Sequence, residues 1–248
     1  MASPQKDQKI LLLGGTADAR IIADRLAETP NLIAEMSLAG VLSKPPKMAL
    51  PLRIGGFGGI DGLVQYIHDH GITILIDATH PYAAQMSHHA VMACQKTGIR
   101  RLTLWRPPWK AEKEDDWHGF DGWPELINAV PKGARVFMAA GQDGMKALPL
   151  TPEFSVVARA LAKPEDLPDY VEMIKDLPGK TEDAEADLFQ QHQISHIICK
   201  NSGGTSSQAK LLAARTLRLP VLMINRPSAP PQPIYPDAGS LLDVLLDA

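Results

Sequence analysis

Cysteine is scarce, with only Cys94 and Cys199 in 248 residues. They fall far apart, in a predicted helix and a predicted strand. That argues against a disulfide framework or a zinc site and for small buried hydrophobes in a reducing compartment. No apolar run approaches the roughly 20 residues needed to span a bilayer. The opening stretch Met1 to Lys9 is polar and has no apolar signal core. A soluble cytoplasmic chain is therefore expected. Neither charge sign dominates: the formal net charge is -3 with 21% charged residues, which speaks against nucleic acid or a membrane surface as the main partner. Chemical signatures are missing as well. No Ser-His-Asp or Cys-His set stands out and no metal-ligand spacing occurs, so no metal is expected. There is no G-x-G-x-x-G fingerprint and no Gly-Lys-Ser/Thr phosphate loop. None of the four tyrosines has a lysine four residues on: His70 follows Tyr66, Met86 follows Tyr82, Ile174 follows Tyr170 and Gly239 follows Tyr235. This disfavours a nucleotide-sugar epimerase or short-chain dehydrogenase, in which the lysine lowers the tyrosine pKa.

What is present is a chain of 45% apolar residues, enough for one large α/β domain or two small ones. Ile10-Leu11-Leu12-Leu13 is a short apolar run ending in Gly14-Gly15, the pattern of a strand covered on both faces. A helix is predicted from Thr16 to before Pro30, a strand over 32–41, a short strand at Arg53-Ile54 and a helix around Leu63 to Ile67. Ile72 to Ile76 reads as a buried strand, 82–97 as a helix and Leu102 to Leu104 as a strand. The alternation implies a mainly parallel sheet with helices on both faces. Between Arg106 and Trp123 the period is lost and three of the four tryptophans cluster, which suggests a crossing between domains or a cleft wall. The βα rhythm then resumes, with strands at 136–141, 154–158, 170–174, 196–199 and 221–224 and helices at 182–192, 206–217 and 241–246. The expected architecture is two Rossmann-like parallel-sheet domains, 1–125 and 126–248, with a ligand cleft between them, so that one architecture is used twice.

Four strand ends carry chemistry. Gly14-Gly15-Thr16, with Arg20 further along, opens the first helix and suits a phosphate or pyrophosphate held on backbone N–H groups. The second strand exits into Ser43, Lys44 and Lys47 with no carboxylate. An acidic residue there would accept from the ribose 2′-hydroxyl of NAD, so its absence suits the 2′-phosphate of NADP. Asp77-Ala78-Thr79-His80-Pro81 ends another strand. Thr79 suits a ribose or nicotinamide amide, and His80 is held out of the helical region by Pro81. The richest segment is Ile197 to Thr205, which delivers Lys200, Asn201, Ser202, Gly203 and Gly204 to one strand tip. Thr205 with Gln208 fits a capping box there. Arg106, Lys110, Arg159, Lys200 and Arg226 all fall at or just past predicted strand ends and would form a basic cleft if they converge. His88 and His89 point to different sides of a helix and are expected to be structural.

These residues together resemble the precorrin-6A reductase family, the NADPH-dependent reductases of cobalamin biosynthesis. The resemblance rests on Leu12 to Thr16 with Ala19-Arg20, on Pro51 to Gly59 and on Asp77 to Ala83. It rests also on Arg106 to Trp109, Lys200 to Gly204, and Ala213-Ala214-Arg215 with Leu219-Pro220-Val221. The departures are Val41 where the family commonly has arginine, Phe137 to Gln142 in place of a threonine-isoleucine-glycine-arginine stretch, and Leu177 to Lys180 in place of arginine-glycine-proline-phenylalanine. The resemblance implies hydride transfer from NADPH to a macrocycle double bond of precorrin-6A, giving precorrin-6B, on the metal-free substrate. The cobalt-containing substrate and a non-catalytic NADP-binding sensor are the alternatives. It implies a monomer, with a tetrapyrrole as small-molecule partner. Its carboxylates would meet Lys200, Arg106 and Arg226 and its flat body Trp109. His80 and Lys200 are the candidates for bringing a proton, and neither is assigned.

Overall fold

The structure is a computed structural model and describes residues 8–39, 47–159, 168–174 and 179–247. In chain order the elements are β1 (Gln8–Leu13), α1 (Ala17–Ala27), β2 (Leu32–Leu38), β3 (Leu52–Ile54), α2 (Gly59–His70), β4 (Ile74–Asp77), α3 (Ala84–Thr97) and β5 (Arg100–Leu104). There follow β6 (Trp117–Phe120), α4 (Trp123–Asn128), β7 (Arg135–Ala139), α5 (Gly141–Lys146), β8 (Ser155–Arg159) and β9 (Val171–Ile174). The chain closes with α6 (Glu182–Gln191), β10 (His196–Lys200), a 3₁₀ turn (Thr205–Ser207), α7 (Ala209–Thr216), β11 (Val221–Ile224), β12 (Ile234–Tyr235) and α8 (Ala238–Leu246).

Two compact units result, Met1–Arg106 with Pro227–Ala248, and Pro107–Arg226. The chain thus changes unit after Arg106 rather than after Glu125, and its last 22 residues return to the first unit. The reason is strand pairing: β6 lies parallel to β11 and β12 parallel to β5, so each is claimed by the other sheet than its place in sequence suggests. In the first unit the order is β12-β5-β4-β1-β2-β3, all parallel. Counted from the far edge this is the doubly wound order 3-2-1-4-5-6, with β12 as sixth strand. In the second unit the order is β6-β11-β10-β7-β8-β9, also parallel. Taking β7 as first strand gives the same order, with β6 in the sixth place. One architecture is used twice; in the first unit the sixth strand comes after the whole second unit in sequence, whereas β6 precedes the other strands of its own unit.

Continuous apolar runs become intelligible at β1. Ile10 and Leu12 pack with Ile22 and Leu26 of α1 and with Leu241 and Leu245 of α8. Leu11 and Leu13 face the other way, onto Leu63 and Ile67 of α2 and Ala90 and Cys94 of α3. Alternate side chains point to opposite faces, so a strand covered twice has no polar position. In the second unit Phe137, Ile197, Cys199 and Val221 share a core with Phe189 of α6 and Leu211 of α7. Both cysteines are buried and free, and burial pushes the Cys94 thiol up to about 12 and Cys199 to about 11. No helix of the described residues is long and apolar enough to cross a membrane.

Two segments defeated the period. Trp117–Phe120 is an edge strand whose residues are half-buried or exposed, so no alternation marks it. The expected helix at Ser206 begins instead at Ala209, after the 3₁₀ turn, and no side chain caps it. Gln208 meets Thr205 through its backbone N–H, so the capping box does not form. The aperiodic Lys110 to Asp116 run is fixed by charge. Arg215 of α7 donates to both carboxylate oxygens of Asp115, at 2.9 Å each, and pairs with Glu112.

Burial raises the Asp115 pKa, but hydrogen bonds from Arg215 and from the Glu112 N–H, with the Arg215 charge, outweigh it and bring the net value below the ordinary 3.8. A depressed folded value means that the stabilisation is complete above the unfolded value and is lost as pH falls through the folded one. Asp115→Asn should therefore flatten the acid limb of the stability profile below about pH 4. Urea midpoints across pH 2 to 7 test this, and an acid limb as steep as that of the parent would refute it.

Candidate functional site

The strand order reverses between β1 and β4, and the connections leaving their carboxyl ends diverge there. β1 ends into Gly14-Gly15-Thr16. Thr16 is the N-cap of α1, accepting from the Ala19 N–H at 3.1 Å, and its hydroxyl donates to the Ala78 carbonyl at 2.9 Å. One buried hydroxyl thus joins the helix start to the loop after β4. Gly15 holds φ +117 with nothing within 4 Å of an added Cβ. The backbone there is exposed, in a conformation that favours glycine, as close approach to a ligand requires. After β4, the Asp77 carboxylate accepts from the Thr79 hydroxyl at 2.7 Å and its N–H at 3.1 Å. His80 Nδ1 accepts from the Tyr82 N–H at 3.3 Å, so the neutral ring carries its proton on Nε2.

A cleft of about 730 Å³ runs along this edge, lined by Gly14, Gly15, Ser37 to Ala39, Gly55 to Gly59, Thr79, His80, Ala83, Gln85, Met86 and His89. No carboxylate is among these lining residues. Pro81 faces a separate cavity of about 370 Å³ with Trp105, His88 and the Pro227 to Pro231 return segment. The two histidines do take different sides of α3, but His89 lines the cleft, which its reading as purely structural overlooked. Arg20 lies exposed on α1. Ser43 and Lys44 lie outside the described residues.

In the second unit the matching reversal lies between β7 and β10. Lys200 ends β10, and its Nζ is 3.2 Å from Asp143 Oδ2 of α5. The Asn201 side chain accepts from the Trp109 N–H at 2.8 Å and donates to its carbonyl at 3.0 Å, while Trp109 Nε1 donates to the Gly204 carbonyl at 3.1 Å. Lys210 is buried with Nζ 4.7 Å from the Trp109 ring and donates to the Ser207 carbonyl; burial lowers its pKa. Ser202 is buried and Arg226 half-buried past the end of β11.

The expectation of pooled positive charge is corrected at three positions. Arg106 is buried in the first unit and pairs with Asp18 of α1 at 2.6 Å. Arg159 is fixed by two bonds to Glu185, 2.7 and 2.9 Å, with both side chains almost wholly buried. Lys200 has Asp143. Charges delivered to strand ends were matched by carboxylates from helices, which lie far off in sequence. The residue that sequence reading passed over is Arg53. Its guanidinium donates to the Gly55 and Gly56 carbonyls and to Ser37 Oγ, and lies 3.9 Å from the Phe57 ring centroid. Its position one residue before the end of β3, ahead of a glycine block, was the available signal.

This is a Rossmann-like α/β protein in which each unit reverses its strand order at one point, with a cleft at the reversal of the first unit. Comparison with known proteins narrows that class: the chain belongs to the precorrin-6x reductase CbiJ/CobK family, whose model matches residues 9–245. It is 38% identical over 243 residues to the precorrin-6A reductase of Rhodobacter capsulatus, covering 96% of each chain. It is 40% identical over 228 residues to that of a Sinorhizobium species, covering 90% of this chain and 87% of the relative. A cobalt-precorrin-6A reductase from Priestia megaterium is 25% identical over 255 residues, covering 96% of this chain and 98% of the relative. The solved structure of a CobK precorrin-6A reductase superposes with a TM-score of 0.90 at 37% identity, over 97% of this chain and 96% of that one.

Thr16→Ala removes a cap and a buried donor together and should lower stability by about 1–2 kcal/mol, with Thr16→Ser restoring most of it. Urea midpoints at unchanged slope read this directly. An unshifted midpoint would show that the hydroxyl is replaceable by water.

Proposed function

We propose that this protein reduces a macrocycle double bond of precorrin-6A with NADPH, giving precorrin-6B, and that it takes the metal-free substrate. The observation that carries the cofactor reading is the cleft at the β1 and β4 carboxyl ends, in which a glycine pair opens a capped helix and no carboxylate awaits a ribose 2′-hydroxyl. The exposed Gly15 backbone and the open space beside it suit a pyrophosphate. Gly14, Gly15, Thr16 and Arg20 would hold it, and Thr79, His80 and Pro81 would meet the ribose and nicotinamide half. Ser43 and Lys44 stand as contacts for the 2′-phosphate. Asn201, Ser202, Gly203 and Gly204 are proposed as a ligand-binding loop of the second unit, with Trp109 and Arg226 as substrate contacts. NADPH when bound supplies the hydride, and the chain's own residues bind, orient and exclude water. Closer identity to relatives named for precorrin-6A than to the one named for cobalt-precorrin-6A favours the metal-free branch. A cytoplasmic monomer completes the reading.

The test is NADPH consumption with precorrin-6A, against an NADH control. Loss of NADPH absorbance with a product heavier by two hydrogens is expected. NADPH binding without turnover would overturn the reading in favour of the cobalt-bearing substrate or a sensor. His80 lines the cleft, whereas Lys200 is held by Asp143, and a binding role for His80 follows. His80→Asn should raise the KM for NADPH more than it lowers kcat; a fall in kcat at unchanged KM would place the ring in proton delivery instead.

A further inference from the structure

Arg53 sits where β2 and β3 end side by side. Its register partner across the ladder is Ser37, the residue before the end of β2. In doubly wound sheets the substituent on the adenine ribose lies just past that second strand, and an arginine nearby is what accommodates a 2′-phosphate. Three observations separate Arg53 from an ordinary surface charge. First, among the described residues its hydrogen-bond acceptors are neutral: two backbone carbonyls and one hydroxyl. Among the described residues no ion pair involves it, in contrast to Arg106, Arg135, Arg159 and Arg215. Its positive charge is oriented but not neutralised.

Second, its partners Ser37, Gly55, Gly56 and Phe57 all line the cleft. Arg53 is not itself one of the lining residues, but its guanidinium is bonded directly to three of them. Third, the carboxylate on the neighbouring strand β2, Glu35, is engaged elsewhere: it accepts from the Tyr66 hydroxyl at 2.7 Å. The guanidinium carbon lies 3.9 Å from the Phe57 ring centroid and 5.1 Å from that of Tyr66, which restrains the fork beside both rings. A guanidinium held in plane by carbonyls has less freedom to lose when it binds a phosphate through two N–H groups.

We infer that Arg53 is the specificity-determining residue that selects a 2′-phosphorylated dinucleotide over its unphosphorylated counterpart. This rests on the NADPH reading of the same cleft. The probes are adenosine 2′,5′-bisphosphate and adenosine 5′-monophosphate, which differ only in the 2′-phosphate, with binding to the full chain measured by calorimetry. The parent should prefer the bisphosphate. Arg53→Gln should cut that affinity by about 10–100-fold, the range of a lost charge-assisted contact, while the monophosphate binds as before. Arg53→Lys, which keeps the charge without the fork, should fall between and remains readable if the glutamine variant does not fold. The kinetic counterpart is a raised KM for NADPH with NADH unaffected.

Equal loss of both nucleotides in Arg53→Gln would show a brace for the glycine loop and overturn the inference. A bisphosphate preference that survives the substitution would overturn it as well, leaving the NADPH reading standing. No preference in the parent protein would overturn that reading and the inference together.

Discussion

Everything in the first unit depends on β1 being buried on both faces. Ile10, Leu11, Leu12 and Leu13 are each at most 2% exposed. Burying about four such side chains supplies on the order of 6–12 kcal/mol of transfer free energy before chain entropy is counted. To cover both faces the chain must place α1 and α8 on one side and α2 and α3 on the other. The connections leaving β1 and β4 must then diverge, since right-handed crossovers lead them to opposite faces. A crevice at their carboxyl ends follows from the packing before any residue is chosen for binding.

What the protein adds is economy in charge. Carboxylates are used internally: Asp77 at the tip of β4 fixes Thr79, and Asp18, Glu185 and Asp143 on helices each hold a basic residue. A buried ion pair is weak evidence for stability because desolvation offsets its attraction, but it fixes geometry well. Among the described residues, the lining of the first unit's cleft has glycines, hydroxyls and histidines and no carboxylate.

A sixth strand closes one edge of each sheet. β12 reaches the first sheet only after the whole second unit has been made; the Trp105 N–H bonds the Tyr235 carbonyl at 2.7 Å, and Arg101 donates to the Pro231 carbonyl at 2.7 Å. β6 joins the second sheet from just after the crossing. Each unit's edge is thus completed by a segment adjoining the crossing in sequence.

The sequence by itself determined the parallel α/β class, the doubled architecture, nearly every central strand and the Gly14-Gly15-Thr16 turn. Those signals are local: a run buried on both faces is apolar throughout, and a glycine pair before a capping threonine marks a helix start. The edge strands β6 and β12 were not legible, because a half-exposed or two-residue strand carries no period. Tertiary structure alone decided which cations were neutralised, since Asp18 lies 88 residues from Arg106, Glu185 lies 26 from Arg159 and Asp143 lies 57 from Lys200. It likewise decided that Arg53, one basic residue among 25, stands beside the end of β2 with no carboxylate to meet it among the described residues. Pairing of charge depends on distance in space, and a linear sequence records only distance along the chain.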